Sequence, residues 1–130
     1  MAQPQSSLRT ELGRIRHLGA ARSGTAHMWL MRVTAVAMVP LTVGFVVVML
    51  SLVGQDYNAM RATLSSPFAA IVLLGFVLVG VWHMQIGMKA IIDDYVPNPH
   101  QREWALIVNI CACWLIGLAC VYAILKISFV

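Results

Sequence analysis

The stretch FAAIVLLGFVLVGVWHMQIGMKAIIDDY, residues 68–95, decides how this chain is read. From Phe68 to Ile92 it is an otherwise apolar run with His83 in its interior, and it ends in Asp93, Asp94 and Tyr95. As a helix, at about 1.5 Å per residue, such a run is long enough to cross a hydrocarbon core about 30 Å thick. An ionisable ring at that depth is costly, so His83 marks a candidate functional position. Gly80 lies three residues before it and Gly87 four after, which puts all three on one helical face. Two missing side chains would leave a slot beside the imidazole into which a planar group could fit.

Working outward, two more runs have the same length and character, Trp29 to Val53 and Trp104 to Phe129. The 130 residues are 60% hydrophobic and 11% charged, with a mean hydropathy of +0.80, too apolar for a soluble domain of this size. The expected fold is all-α: an integral membrane protein with three transmembrane helices, at about 29–53, 68–94 and 104–128. A segment 1–27 precedes a membrane domain spanning 28–130. The first apolar run starts late, is too long for a signal-peptide core and lacks an obvious small-residue cleavage site, so the first helix is expected to stay.

Charge sets the orientation. Arg9, Arg14, Arg16, Arg22 and Arg32 lie before or just inside the first helix, and Lys89 and Arg102 flank the second connection, whereas only Arg61 and Lys126 fall on the other side. The positive-inside rule then places the N-terminus and the segment around Asp94 to Glu103 in the cytoplasm and the C-terminus outside. The net charge of +4 reflects that bias and gives no support to nucleic-acid binding. Cys111, Cys113 and Cys120 all lie inside the third run without ligand spacing, and read as small buried hydrophobes.

Residues 1 to about 26 are polar and basic, a surface segment expected to order against a partner. The connection from Gly54 to Pro67 is rich in turn formers and has room for one short amphipathic turn. Pro97, Asn98 and Pro99 mark the second connection. Pro40 falls inside the first helix, where a bend that suits packing is the simpler reading.

From spacing alone, a buried His83 is a packing histidine, a proton relay or a metal ligand. A haem iron would need an imidazole nitrogen pointed into a cavity, and no other histidine of the chain is equally deep. A low-spin haem b would then take its second axial ligand from another polypeptide. Eleven residues on, Asp94 returns to within about 20° of the same face, so Phe76, Gly80, His83, Gly87, Ala90 and Asp94 form one stripe. That stripe is expected to need a helical partner to cover it. Tyr95, with a phenol that donates and accepts, is either an interfacial aromatic or part of a site for a molecule that takes up electrons and protons. Arg32 either snorkels to lipid headgroups or, with His27, meets the propionates of a haem. His17 and His100 are expected to be exposed.

The segment His83-Met-Gln-Ile-Gly87-Met-Lys-Ala-Ile-Ile-Asp93-Asp94-Tyr95 resembles the His, Gly and Asp-Tyr signature of the small membrane-anchor subunit of succinate dehydrogenase, respiratory complex II. The stretch from Leu18 to Ala35, with Gly24, His27, Arg32 and Thr34, looks like the approach to that subunit's first helix in the alphaproteobacterial and mitochondrial-like branch. The resemblance implies a three-helix anchor in a bundle completed by a cytochrome b556-type companion subunit, docked to iron–sulfur and flavoprotein subunits at the bacterial inner membrane. It implies that His83 is an axial ligand of haem b, that Arg32 and His27 lie near the propionates, and that Tyr95 and Asp94 help bind ubiquinone. Asp93 is an extra acid with no counterpart role. The chain itself would not oxidise succinate, since it has neither a flavin fold nor an iron–sulfur cysteine pattern. Competing readings are an anchor of a quinol:fumarate reductase and a haem-free helical scaffold.

Overall fold

A computed structural model describes residues 22–129. His17, Arg9, Arg14 and Arg16, and most of the expected N-terminal surface segment, lie outside the described residues. Four helices follow one another: α1 (Arg22–Ser51), α2 (Tyr57–Leu64), α3 (Pro67–Tyr95) and α4 (Pro99–Phe129). Three of them, α1 from Thr25, α3 and α4, are long and apolar enough to span a membrane. This is the expected all-α, three-span architecture, and the short α2 is the amphipathic turn allowed for between the first two spans.

The helix ends follow from capping chemistry more than from hydropathy. Leu52 to Gly54 turn the chain after α1, and Gly54 takes a φ of 78° that L side chains rarely adopt. Asp56 caps α2 by accepting from the Ala59 amide at 3.2 Å. Ser66 does the same for α3 through the Ala69 amide at 3.3 Å, with Pro67 in the first helical turn. The expected third span begins at Trp104, but α4 begins five residues earlier. Pro99 is tolerated at a helix start, while Asn98 accepts from the His100 amide at 3.1 Å through its side chain and from the Arg102 amide at 2.9 Å through its carbonyl. Only Val96 to Asn98 separate α3 from α4, and a connection that short forces the two helices to run antiparallel.

Between the two other spans lies α3, packed on α1 along one face and on α4 along another. Small residues let the backbones approach. A Cβ built on Gly44 would stand 3.0 Å from Val72 Cγ1, one on Gly75 would stand 3.0 Å from Leu41 Cδ2, and one on Gly117 would stand 3.4 Å from Val81 Cγ1. Phe45 and Phe76 stack across the α1–α3 seam with ring centroids 4.5 Å apart. The α3–α4 seam has a polar clip. Buried Asn109 donates to the Gln85 backbone carbonyl at 3.1 Å and accepts from Cys113 Sγ at 3.4 Å. Of the three cysteines, only Cys113 is buried; Cys111 is exposed and Cys120 half-buried, because α4 turns most of its surface away from α3.

The core inside this chain is small. Its buried apolar residues are Val48, Ala69, Ile86, Ile92 and Cys113, while large side chains such as Val36, Val43, Ile71, Trp114 and Leu118 stand exposed. In water such a surface would be untenable; in a bilayer it faces lipid or other helices. Because Val72 is β-branched and stiff, Gly44→Leu is expected to destabilise the chain by about 1–3 kcal/mol through overpacking. Gly87→Ala, where an added Cβ meets nothing within 4 Å, is expected to cost no such strain, as thermal unfolding in detergent would measure. Asn109→Leu removes the interhelical clip at similar volume and is expected to lower stability in the same assay by about 0.5–1.5 kcal/mol.

Candidate functional site

His83 stands half-buried on α3 where that helix crosses α1. Its Nδ1 lies 2.9 Å from the hydroxyl of Thr34, a buried residue of α1. The same hydroxyl lies 2.9 Å from the carbonyl of Leu30 and 3.1 Å from that of Met31. Among the described residues Thr34 is the imidazole's only hydrogen-bond partner. The ring is therefore held at one nitrogen, and Nε2 has no partner among the described residues.

The stripe foreseen on α3 divides in two. Its lower half is covered by the chain's own first helix: Phe76 stacks on Phe45, a Cβ on Gly80 would meet Met38 Cε at 3.6 Å, and His83 meets Thr34. The helical partner expected for the stripe is thus supplied, as far as His83, by α1 of the same chain. Above that point the face opens. A Cβ on Gly87 would meet nothing within 4 Å, and Asp94 is exposed at the end of the stripe. The slot expected from two glycines is open at Gly87 and filled by Met38 at Gly80.

The other candidates gather at the same end of the molecule without a side-chain hydrogen bond or ion pair among them. His27 is half-buried and, seven residues before Thr34, shares its helical face. Arg32 is exposed, and two residues from Thr34 it sits about 160° around α1. Asp94 and Tyr95 are exposed at the last turn of α3, with Tyr95 at 80%. The hydrogen bonds of the described residues join none of these four to His83. The neighbouring acid behaves differently: Asp93 pairs with Lys89 at 2.6 Å and lies 3.9 Å from Arg102 at the start of α4. Asp93 therefore has a structural explanation, a tie across the α3–α4 turn, while Asp94 beside it has no partner among the described residues.

Two apolar cavities lie elsewhere. One of about 420 Å³ is lined by Trp82, Gln85, Trp114 and Gly117 between α3 and α4, and one of about 690 Å³ lies near Tyr57, Arg61, Tyr122 and Lys126 at the opposite end. Neither cavity is lined by His83, Asp94 or Tyr95. Among the described residues no cluster of three or more His, Cys, Asp or Glu side chains could hold a metal ion. Iron held in a porphyrin makes a smaller demand, one axial nitrogen with space before it. A half-buried imidazole anchored at Nδ1, beside open space at Gly87, fits that demand.

Sequence reasoning passed over two residues here. Thr34 carried no signal of its own, since the contact spans 49 positions and threonine is common in membrane helices. Asn109 did carry one, a lone amide inside an apolar run.

These are the features of a multi-pass membrane protein with an intramembrane histidine and a polar end at one interface. Residues 6–119 match the model of the succinate dehydrogenase/fumarate reductase transmembrane subunits, and the chain belongs to that family. Among its relatives, the succinate dehydrogenase hydrophobic membrane anchor subunit of Paracoccus denitrificans is 36% identical over 111 residues, covering 85% of each chain. The corresponding subunit of Rickettsia bellii is 31% identical, covering 76% of this chain and 79% of its own, and that of Rickettsia prowazekii is 27% identical over 94% and 90%. No solved structure matches. The resemblance read from the His, Gly and Asp-Tyr spacing, including its alphaproteobacterial branch, agrees with these relatives.

Proposed function

We propose that this chain is the small membrane-anchor subunit of a succinate:ubiquinone oxidoreductase in the bacterial inner membrane, with its N-terminus in the cytoplasm. In that role it holds the iron–sulfur and flavoprotein subunits at the bilayer together with a cytochrome b556-type companion. The observation that carries the reading is the Nδ1-anchored His83, in a family of succinate dehydrogenase and fumarate reductase membrane subunits. The relatives compared are succinate dehydrogenase subunits, which favours succinate oxidation as the direction. Grouping of Arg32, Lys89 and Arg102 at one end, with only Arg61 and Lys126 at the other, supports the orientation.

Nε2 of His83 would hold the iron of a haem b shared with the companion subunit. When bound, the haem supplies a one-electron carrier inside the membrane. His27, on the same face of α1 as Thr34, and Arg32, on the flank of that helix, would donate to the haem propionates. Tyr95 donates its phenolic proton in a hydrogen bond to a ubiquinone carbonyl at the cytoplasmic interface. Reduction of the quinone consumes two electrons, which arrive from the docked iron–sulfur subunit, and two protons, whose delivery is served by Asp94, exposed to water and without an ion pair among the described residues. Lys89 and Arg102 hold Asp93 instead, which keeps the α3–α4 turn in place beneath the quinone.

In the purified complex, a reduced-minus-oxidised optical spectrum is expected to show a b-type signal that is lost or shifted in His83→Ala; a wild-type complex without that signal would favour a haem-free anchor or scaffold. Tyr95→Phe removes one donor to the quinone and is expected to slow succinate:quinone turnover on the order of tenfold with haem retained. Unchanged turnover in that variant would remove Tyr95 from the quinone site.

A further inference from the structure

We infer that Thr34 is the positioning residue of His83: its hydroxyl accepts the Nδ1 proton, fixing the tautomer whose Nε2 lone pair is free for a metal. The inference rests on the haem reading for its purpose, and on proton counting for its content.

A threonine hydroxyl carries one proton. Thr34 Oγ1 has three neighbours at hydrogen-bond distance, the carbonyl oxygens of Leu30 and Met31 and the Nδ1 of His83. Both carbonyls can only accept. If the hydroxyl proton went to Nδ1, Oγ1 would face two carbonyl oxygens at 2.9 and 3.1 Å with no proton between them. If it goes to the carbonyls, shared between them as is common on a helix, the remaining contact is satisfied only when Nδ1 carries the proton and Oγ1 accepts it. The second arrangement pairs every group, and a buried hydroxyl in an apolar seam has no water to rescue the first.

Two consequences follow for the ring. A neutral imidazole protonated at Nδ1 is unprotonated at Nε2, the nitrogen that has no partner among the described residues. A donor bond from Nδ1 also makes the ring a stronger electron donor to whatever Nε2 binds. Stronger donation favours ferric over ferrous iron and lowers the reduction potential. Thr34 is itself held by its own helix, so the orientation of the imidazole is set by the α1 backbone across the seam.

The test uses the full complex carrying wild-type chain, Thr34→Val or Thr34→Ser, with redox titration of the haem, the EPR spectrum of its ferric state and the rate of haem loss to apomyoglobin. Thr34→Val keeps the volume and removes the acceptor. It is expected to shift the midpoint potential upward, change the low-spin EPR signature and weaken haem retention by about ten- to hundredfold, while Thr34→Ser restores wild-type behaviour. A Thr34→Val complex with the wild-type potential, EPR signal and retention, alongside loss of the signal in His83→Ala, would overturn the inference and leave the ligand assignment standing. Nitrogen NMR of the full-length, haem-free chain with labelled histidine decides the tautomer independently. A proton on Nδ1 of His83 supports the inference and a proton on Nε2 overturns it, even if the wild-type complex proves to contain no haem and the haem reading falls.

Discussion

Every polar group inside a bilayer must find its partner within the protein, and the structure is arranged around the few groups for which that is difficult. Helices satisfy their own backbones. What remains are side chains that hydropathy would exclude: His83 and Asn109 on the two seams of α3. Each is resolved by a bond between helices, His83 to Thr34 of α1 and Asn109 to the backbone of Gln85. These bonds are worth only about 0.6 kcal/mol each on average in a membrane, since unassembled helices find other partners. Their larger effect is on register, because a slide of α1 along α3 would leave the His83 imidazole without its hydrogen-bond partner.

That pairing also explains why the chain is a layer of three helices. With α3 between α1 and α4, the central helix uses two faces, and the outer helices keep broad apolar surfaces of their own. A four-helix core would bury more, but it would also close the open side at Gly87 and Asp94. The residues that carry the proposed chemistry lie where this chain's own packing stops. His83 is the last covered position of the stripe, Gly87 the first open one, and Asp94 and Tyr95 are exposed beyond it.

Much of this was legible in the amino-acid order. Three apolar runs of membrane length gave three spans, and His83 stood out because an ionisable ring in such a run is costly. Helix ends were less legible, since Pro99 and Asn98 read as a connection and yet start α4, which capping decides and hydropathy does not. What covers the stripe was less legible for a related reason: a helical wheel shows which residues share a face, not which neighbour covers it. Thr34 was invisible because its significance lies in a contact with a residue 49 positions away. Asp93 looked like a redundant acid until Lys89 and Arg102 were seen to hold it.

The paired acids at the end of α3 show how adjacent residues of one type come to do different work. Successive positions on a helix are turned by about 100°, so Asp93 and Asp94 cannot face the same surroundings. Asp93 points toward Lys89, one turn back, and Arg102 on α4, and its charge is absorbed in an exposed tie across a three-residue loop. Exposed ion pairs add little to stability, so the tie matters chiefly for where the loop lies. Asp94 falls instead within about 20° of His83 and about 16 Å further along the axis, at a rise of about 1.5 Å per residue. An acid on the histidine's face, clear of both cations, keeps its proton-binding oxygens free. Had the chain a single aspartate here, anchoring the turn and serving the open face would have competed for one carboxylate; two in succession let the helical twist separate them.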